Sequence, residues 1–157
     1  MDKVPEGARL KKTGAFNLPG PARQNVALRA TVRGIKQTLL LAMRVSVDNG
    51  DLRSYNAVLK PDGSSEIYRK GGPAGSANLS QRAPIPGFDP AARHTFEFRA
   101  VDDVLTVIVD GQAFEPVRDA NFKKGGLSLT GDAGMIIEKL EVADLKAAPT
   151  ASPAAAP

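Results

Sequence analysis

The chain has no cysteine, no tryptophan and a single histidine, His94. Without cysteine there is no disulfide framework, no thiolate metal site and no cysteine nucleophile. One imidazole cannot build a transition-metal site without three carboxylates beside it. No Ser/Asp arrangement is legible around His94, so it reads as a packed or edge imidazole rather than a general base. Long apolar runs are missing too. No stretch of about 18 apolar residues occurs, and no membrane insertion is expected. The start, Met1-Asp2-Lys3-Val4-Pro5-Glu6-Gly7, is polar, and no signal peptide is visible in this chain. Compartment and oligomeric state are left open.

Charge of one sign is scarce. The chain carries 21 basic and 17 acidic residues, a net charge of +4. The basic runs are pairs: Lys11-Lys12, Arg69-Lys70 and Lys123-Lys124. Nucleic-acid binders cluster their cations on one element, so no nucleic-acid partner is expected.

What is present is short alternation. Hydrophobic residues make up 42% of the 157 residues, enough for one packed domain. Val26, Leu28, Ala30 and Val32 fall on one side of a strand, with Arg29, Thr31 and Arg33 on the other. Leu39, Leu41, Met43, Val45 and Val47 continue in the same period, and Asn49-Gly50 then predicts a tight type I′ hairpin. Strands over 52–60 and 65–70 follow, joined by Pro61-Asp62-Gly63. Residues 71–92 are rich in Gly and Pro and read as a long loop, with a short strand near 77–81. Leu79, Ile85 and Phe88 are its expected anchors.

A second meander begins at His94, Phe96 and Phe98, turns at Asp102-Asp103 and again at Asp110-Gly111, and ends in a strand over 135–145. In that last strand Ile137 and Leu140 are three apart, which predicts a bulge near Glu138-Lys139. No segment of about ten residues shows a helical period. The predicted fold is therefore all-β: an antiparallel two-sheet sandwich or jelly roll over 1–145. Residues 146–157, K-A-A-P-T-A-S-P-A-A-A-P, read as a disordered Ala/Pro-rich tail or linker.

Three stretches carry a family pattern: H-T-F-E-F-R-A-V-D-D-V-L-T-V-I-V-D-G-Q at 94–112, D-A-N-F-K-K-G-G-L-S-L-T at 119–130, and I-I-E-K-L-E-V-A-D-L at 136–145. Over 25–145 the chain resembles the concanavalin A-like lectin/glucanase superfamily. The nearest branch is the laminin-G-like and 3-keto-disaccharide hydrolase-like domains of planctomycete and verrucomicrobial proteins. The resemblance implies a jelly roll and a bacterial source, in which the chain is a whole protein or a fragment of a larger one. It leaves function open, because the fold serves lectins, glycosidases and adhesion modules alike.

No catalytic constellation is legible. Glucanases of the superfamily place acids as E-x-D-x-E on one strand, at glycosidase separation. That motif is absent here. Glu66, Glu97 and Glu115 stand alone, and Glu138 and Glu141 would point to opposite faces of a regular strand. No cofactor is expected. The calcium candidates, Asp48, Asp51, Asp102, Asp103, Asp119 and Asp132, lie mostly at turns, where Asp is favoured for backbone reasons. The ligand-binding candidates are Arg44, Arg53, Tyr55, Asn56, Tyr68 and Arg69, a polar, tyrosine-flanked sheet face. Arg29, Arg33 and Arg44 form a positive stripe suited to an acidic glycan or protein. The first functional expectation is a non-catalytic interaction or accessory module that binds a protein partner or itself. The alternatives are a lectin-type carbohydrate-binding module and a sugar-processing hydrolase of the keto-disaccharide type, acting through a carboxylate such as Glu97.

Overall fold

Alternation at period two places one set of side chains between two stacked sheets. The computed structural model describes residues 2–3, 8–9 and 14–147. The expected tail lies outside the described residues from 148 onward. The strands are β1 (Asp2–Lys3), β2 (Ala8–Arg9), β3 (Gly14–Arg23), β4 (Val26–Arg33), β5 (Leu39–Asp48), β6 (Asp51–Leu59) and β7 (Ser65–Lys70). They continue as β8 (Ala77–Arg82), β9 (His94–Val101), β10 (Val104–Val109), β11 (Gln112–Ala113), β12 (Val117–Arg118), β13 (Gly125–Gly131) and β14 (Ile136–Asp144).

One sheet of eight strands runs β1-β14-β4-β9-β10-β11, with β2 beside β14 and β12 beside β10. The other has six, in the order β3-β13-β5-β6-β7-β8. Every pairing is antiparallel. The predicted sandwich is the observed one.

The core lies between the sheets. Leu28, Phe96, Phe98 and Leu105 come from the larger sheet, and Leu39, Leu41, Leu59 and Leu129 from the smaller; all are fully buried. Each such side chain contributes about 2–3 kcal/mol on removal from water. Leu79, Ile85 and Phe88 pack against this core, as expected of anchors for the long loop. Asn49 and Gly50 both take positive φ, 50° and 78°, the backbone that a type I′ hairpin needs.

Two elements depart from the sequence reading. β3, with Pro19 and Pro21, is not among the strands read from the sequence, yet it pairs with β13 as an edge strand. An edge tolerates proline because its outer N–H groups need no partner. In β5 the register shifts between Met43 and Ser46, and Arg44 adopts φ 52°. That bulge reverses the faces. Arg44 turns inward and is 1% exposed, while Val47, expected inside, is 67% exposed.

The expected bulge in β14 is present, between Ile137 and Lys139. It has an unforeseen effect. Glu138 and Glu141 both reach the outer face of the larger sheet instead of opposite faces. Glu138 bonds Arg33 at 2.5 Å and Glu141 bonds Arg29 at 2.9 Å.

Candidate functional site

The six predicted ligand residues do not share a face. On β6, Arg53 and Tyr55 point between the sheets with Ala57 and Leu59, whereas Ser54 and Asn56 point outward. On β7, Arg69 points inward with Ser65 and Ile67, and Tyr68 and Lys70 point outward. Asn56 and Tyr68 line a groove on the outer surface of the smaller sheet. Arg44, Tyr55 and Arg69 lie beneath that sheet, buried. Arg53 sits at the β5–β6 hairpin, paired with Asp48 at 3.2 Å and Asp51 at 3.0 Å.

The buried three belong to a polar network that holds the loop before β13. Arg69 Nη1 and the Tyr55 hydroxyl both donate to the Asp119 carboxylate. Arg69 Nε donates to the Gly75 carbonyl at 2.9 Å, and Phe122 N–H donates to the Tyr55 hydroxyl at 3.0 Å. Arg44 donates to the carbonyls of Gln24 at 2.8 Å and Phe122 at 2.9 Å. Among the described residues, no buried side-chain nitrogen or oxygen lacks a partner. This is how a charged cluster becomes tolerable inside a sandwich.

Burial, and then the hydrogen bond to Asp119, push the Tyr55 hydroxyl up to about 12. An unfolded tyrosine ionises near 10, so folding favours the neutral phenol. The associated stability is complete below pH ~10 and is lost as pH rises toward ~12. Melting curves across that window should therefore fall more steeply for the wild type than for Tyr55→Phe, by about 2–3 kcal/mol in total. Equal slopes would remove Tyr55 as the source.

The positive stripe does not form. Arg29 and Arg33 lie on the outer face of the larger sheet, bound to Glu141 and Glu138, and Arg44 is inside the other sheet. Glu97 lies on that same outer face, 5% exposed, clasped by Arg99 and 3.6 Å from Arg29. His94 is 8% exposed and stacks on Phe88 with centroids 3.9 Å apart. Its Nδ1 is 2.7 Å from Asp110 Oδ2, and its Nε2 is 2.5 Å from the Asp89 carbonyl oxygen. The calcium candidates are dispersed. Asp132 accepts from the N–H groups of Gln37 and Thr38, and Asp103 bonds Arg118. Among the described residues, no three His, Asp or Glu side chains gather as a metal site.

The groove on the outer surface of the smaller sheet has room for a ligand. It encloses about 360 Å³ and is walled by side chains of β3, β13, β5, β6 and β7. That volume lies in the range of about 300–1,000 Å³ usual for small-molecule sites. The strand registers place its polar groups in one line across the sheet. Asn17 faces Ser128, Ser128 faces Ala42, Ala42 faces Asn56 and Asn56 faces Tyr68.

On one side of the line stand Leu40 and Thr130, which face each other; on the other stand Val45 and the facing pair Ser54 and Lys70, with Leu52 beyond Ser54. The β5 bulge is what turns Val45 outward on that second side. Among the described residues of the lining, Lys70 is the one that carries a charge, and none is a carboxylate. Asn56 donates to Ser54 Oγ at 2.9 Å, which fixes its amide. Burial, and then the nearby Glu66 charge, raise the Tyr68 pKa, so the hydroxyl stays a neutral donor. Of the groove's lining residues, Asn56 and Tyr68 are among the candidates read from the sequence, and Asn17, Ser128 and Thr130 are not. Asn17 lies in the proline-bearing edge strand, and the others belong to a strand whose outer face only the cross-strand register reveals.

The fold is an antiparallel two-sheet jelly-roll sandwich with a groove across one sheet. Solved structures share this build. The carbohydrate-binding module CBM66 from Bacillus subtilis matches with TM-score 0.65 and 13% identity, over 85% of this chain and 83% of that one. The CBM40 of the Ruminococcus gnavus IT-sialidase, bound to α2,3 sialyllactose, matches with TM-score 0.64 and 13% identity over 92% and 93%. The Caenorhabditis elegans galectin LEC-6 matches with TM-score 0.58 and 12% identity over 90% and 95%. At such identities the likeness establishes the fold alone. No protein-family model matches the chain, and no curated protein matches it in sequence.

Proposed function

We propose that this protein is a non-catalytic carbohydrate-binding module that takes its glycan in the groove on the six-stranded sheet. The observation that carries this reading is the line of amides and hydroxyls with an aliphatic side chain on either side, Leu40 on one and Val45 on the other. Sugars offer hydroxyls in the ring plane and C–H groups on the ring faces. Amides and hydroxyls match the first, and aliphatic side chains match the second. The structural likeness to carbohydrate-binding modules and galectins supports a glycan over the protein partner or self-association first expected from the sequence.

The keto-disaccharide hydrolase reading has less behind it. Among the described residues the groove lining holds no carboxylate, and Glu97 serves an arginine pair on the other sheet.

A glycan array probed with the full chain tests the reading, followed by calorimetry on the hits. Asn56→Ala and Tyr68→Ala should each weaken binding on the order of tenfold, the equivalent of about one net hydrogen bond. Both variants should stay folded by circular dichroism. A blank array, or hits unaffected by both substitutions, would remove the groove as a glycan site.

A further inference from the structure

We propose that the groove binds an internal segment of a linear oligosaccharide, laid across the strands from one edge of the six-stranded sheet to the other. This rests on the glycan reading and specifies the form of the ligand. The line of polar side chains does not stop at the groove's centre. Beyond Tyr68 the register continues to Asn78 on β8, and at the other end it begins at Asn17 on β3. Those two strands are the sheet's edges, and among the described residues no strand pairs outside them.

The line therefore crosses the whole sheet of six strands, roughly 24 Å at about 4.8 Å between neighbours. A pocket for a chain end gathers its polar groups around one point and closes on one side. Here they are spread strand by strand, and both outermost members, Asn17 and Asn78, are exposed. At the middle of the line stands Ala42, whose methyl group leaves a low point between Ser128 and Asn56. A trough with a polar group on five of its six strands and two free ends fits a chain that enters over one edge and leaves over the other.

The test is calorimetry on the full chain with cello-, laminari-, manno-, xylo-, galacto- and fructo-oligosaccharides, each from monosaccharide to hexasaccharide. In the series that binds, affinity should rise about tenfold or more from disaccharide to hexasaccharide. Asn17→Ala and Asn78→Ala should weaken the hexasaccharide several-fold and leave the disaccharide unchanged, while Asn56→Ala weakens both. Both edge residues are exposed, so neither substitution threatens folding. A disaccharide that binds as tightly as the hexasaccharide overturns the proposal, as do edge variants that bind the hexasaccharide like the wild type. Binding only to a branched or terminal glycan on the array, with every linear series silent, overturns this proposal and leaves the glycan reading standing. Silence of both the array and the series overturns the two together.

Discussion

Asp119→Ala should destabilise the protein by about 3–5 kcal/mol, the usual loss when one member of a buried ion pair is removed. Arg69 and Asp119 are nearly sealed from water, with side-chain exposures of 11% and 6%. The carboxylate also receives the Tyr55 hydroxyl, the Asn121 N–H at 3.0 Å and the Asn121 amide at 2.8 Å. Alanine leaves a guanidinium and an amide with vacant donors in a low-dielectric site. An asparagine in place of the acid keeps the shape and loses the charge, so Asp119→Asn should fall between alanine and the wild type.

Acid acts on the same group. Burial alone would raise the Asp119 pKa, but the hydrogen bonds from Tyr55, Asn121 and Arg69 outweigh it and hold the carboxylate below its ordinary range. Its stabilisation is present above the unfolded value, near 3.9, and is lost as pH falls through the folded one. Urea titrations at pH 7 and at acid pH measure both effects. A loss under about 1 kcal/mol for Asp119→Ala would mean that the loop before β13 is held by something else.

Arg44→Met should cost about 3 kcal/mol, although methionine is the more apolar residue in a buried place. The guanidinium is the donor to two carbonyls, Gln24 and Phe122, and each orphaned buried acceptor costs about 1–3 kcal/mol. The left-handed φ of 52° remains for methionine to bear. Arg44→Gly relieves the backbone but supplies no donor, so it should also be less stable than the wild type.

The partner strand is built for this bulge. A Cβ on Gly125 would come within 2.4 Å of the Arg44 carbonyl carbon and 2.5 Å of the Val45 carbonyl oxygen. Thermal melts of the two Arg44 variants test the assignment. Wild-type stability in Arg44→Met would show that the guanidinium bonds contribute nothing net.

These two sites also mark where the sequence stops being legible. The strands from Val26 to Val32 and from His94 to Phe98 can be read because their alternation is local and unbroken. So can the Asn49-Gly50 and Asp110-Gly111 turns, where residue type follows backbone angle. The β5 bulge cannot. Met43-Arg44-Val45-Ser46-Val47 alternates without a flaw, and nothing in it announces an arginine in a left-handed conformation. The clue lies far away, in Gly125-Gly126, which reads as the start of a strand and not as a clearance for another backbone.

A period of two fixes which residues go together but not which set faces the core. A single-residue shift exchanges the sets. On β6, Arg53-Tyr55-Ala57-Leu59 and Leu52-Ser54-Asn56-Val58 are both plausible inner sets. The observed choice buries Tyr55 and leaves Asn56 to the groove. Likewise, β3 stays hidden because its prolines argue against a central strand and say nothing against an edge.

The placement of the two tyrosines has a practical consequence. With no tryptophan in the chain, Tyr55 and Tyr68 account for its intrinsic ultraviolet fluorescence above the weak phenylalanine signal. They project from opposite faces of one sheet, Tyr55 into the sealed interior and Tyr68 into the groove. The molecule thus carries two separate optical reporters. Emission from a Tyr68→Phe protein follows the integrity of the interior alone, and the difference from the wild-type spectrum isolates what happens at the outer surface.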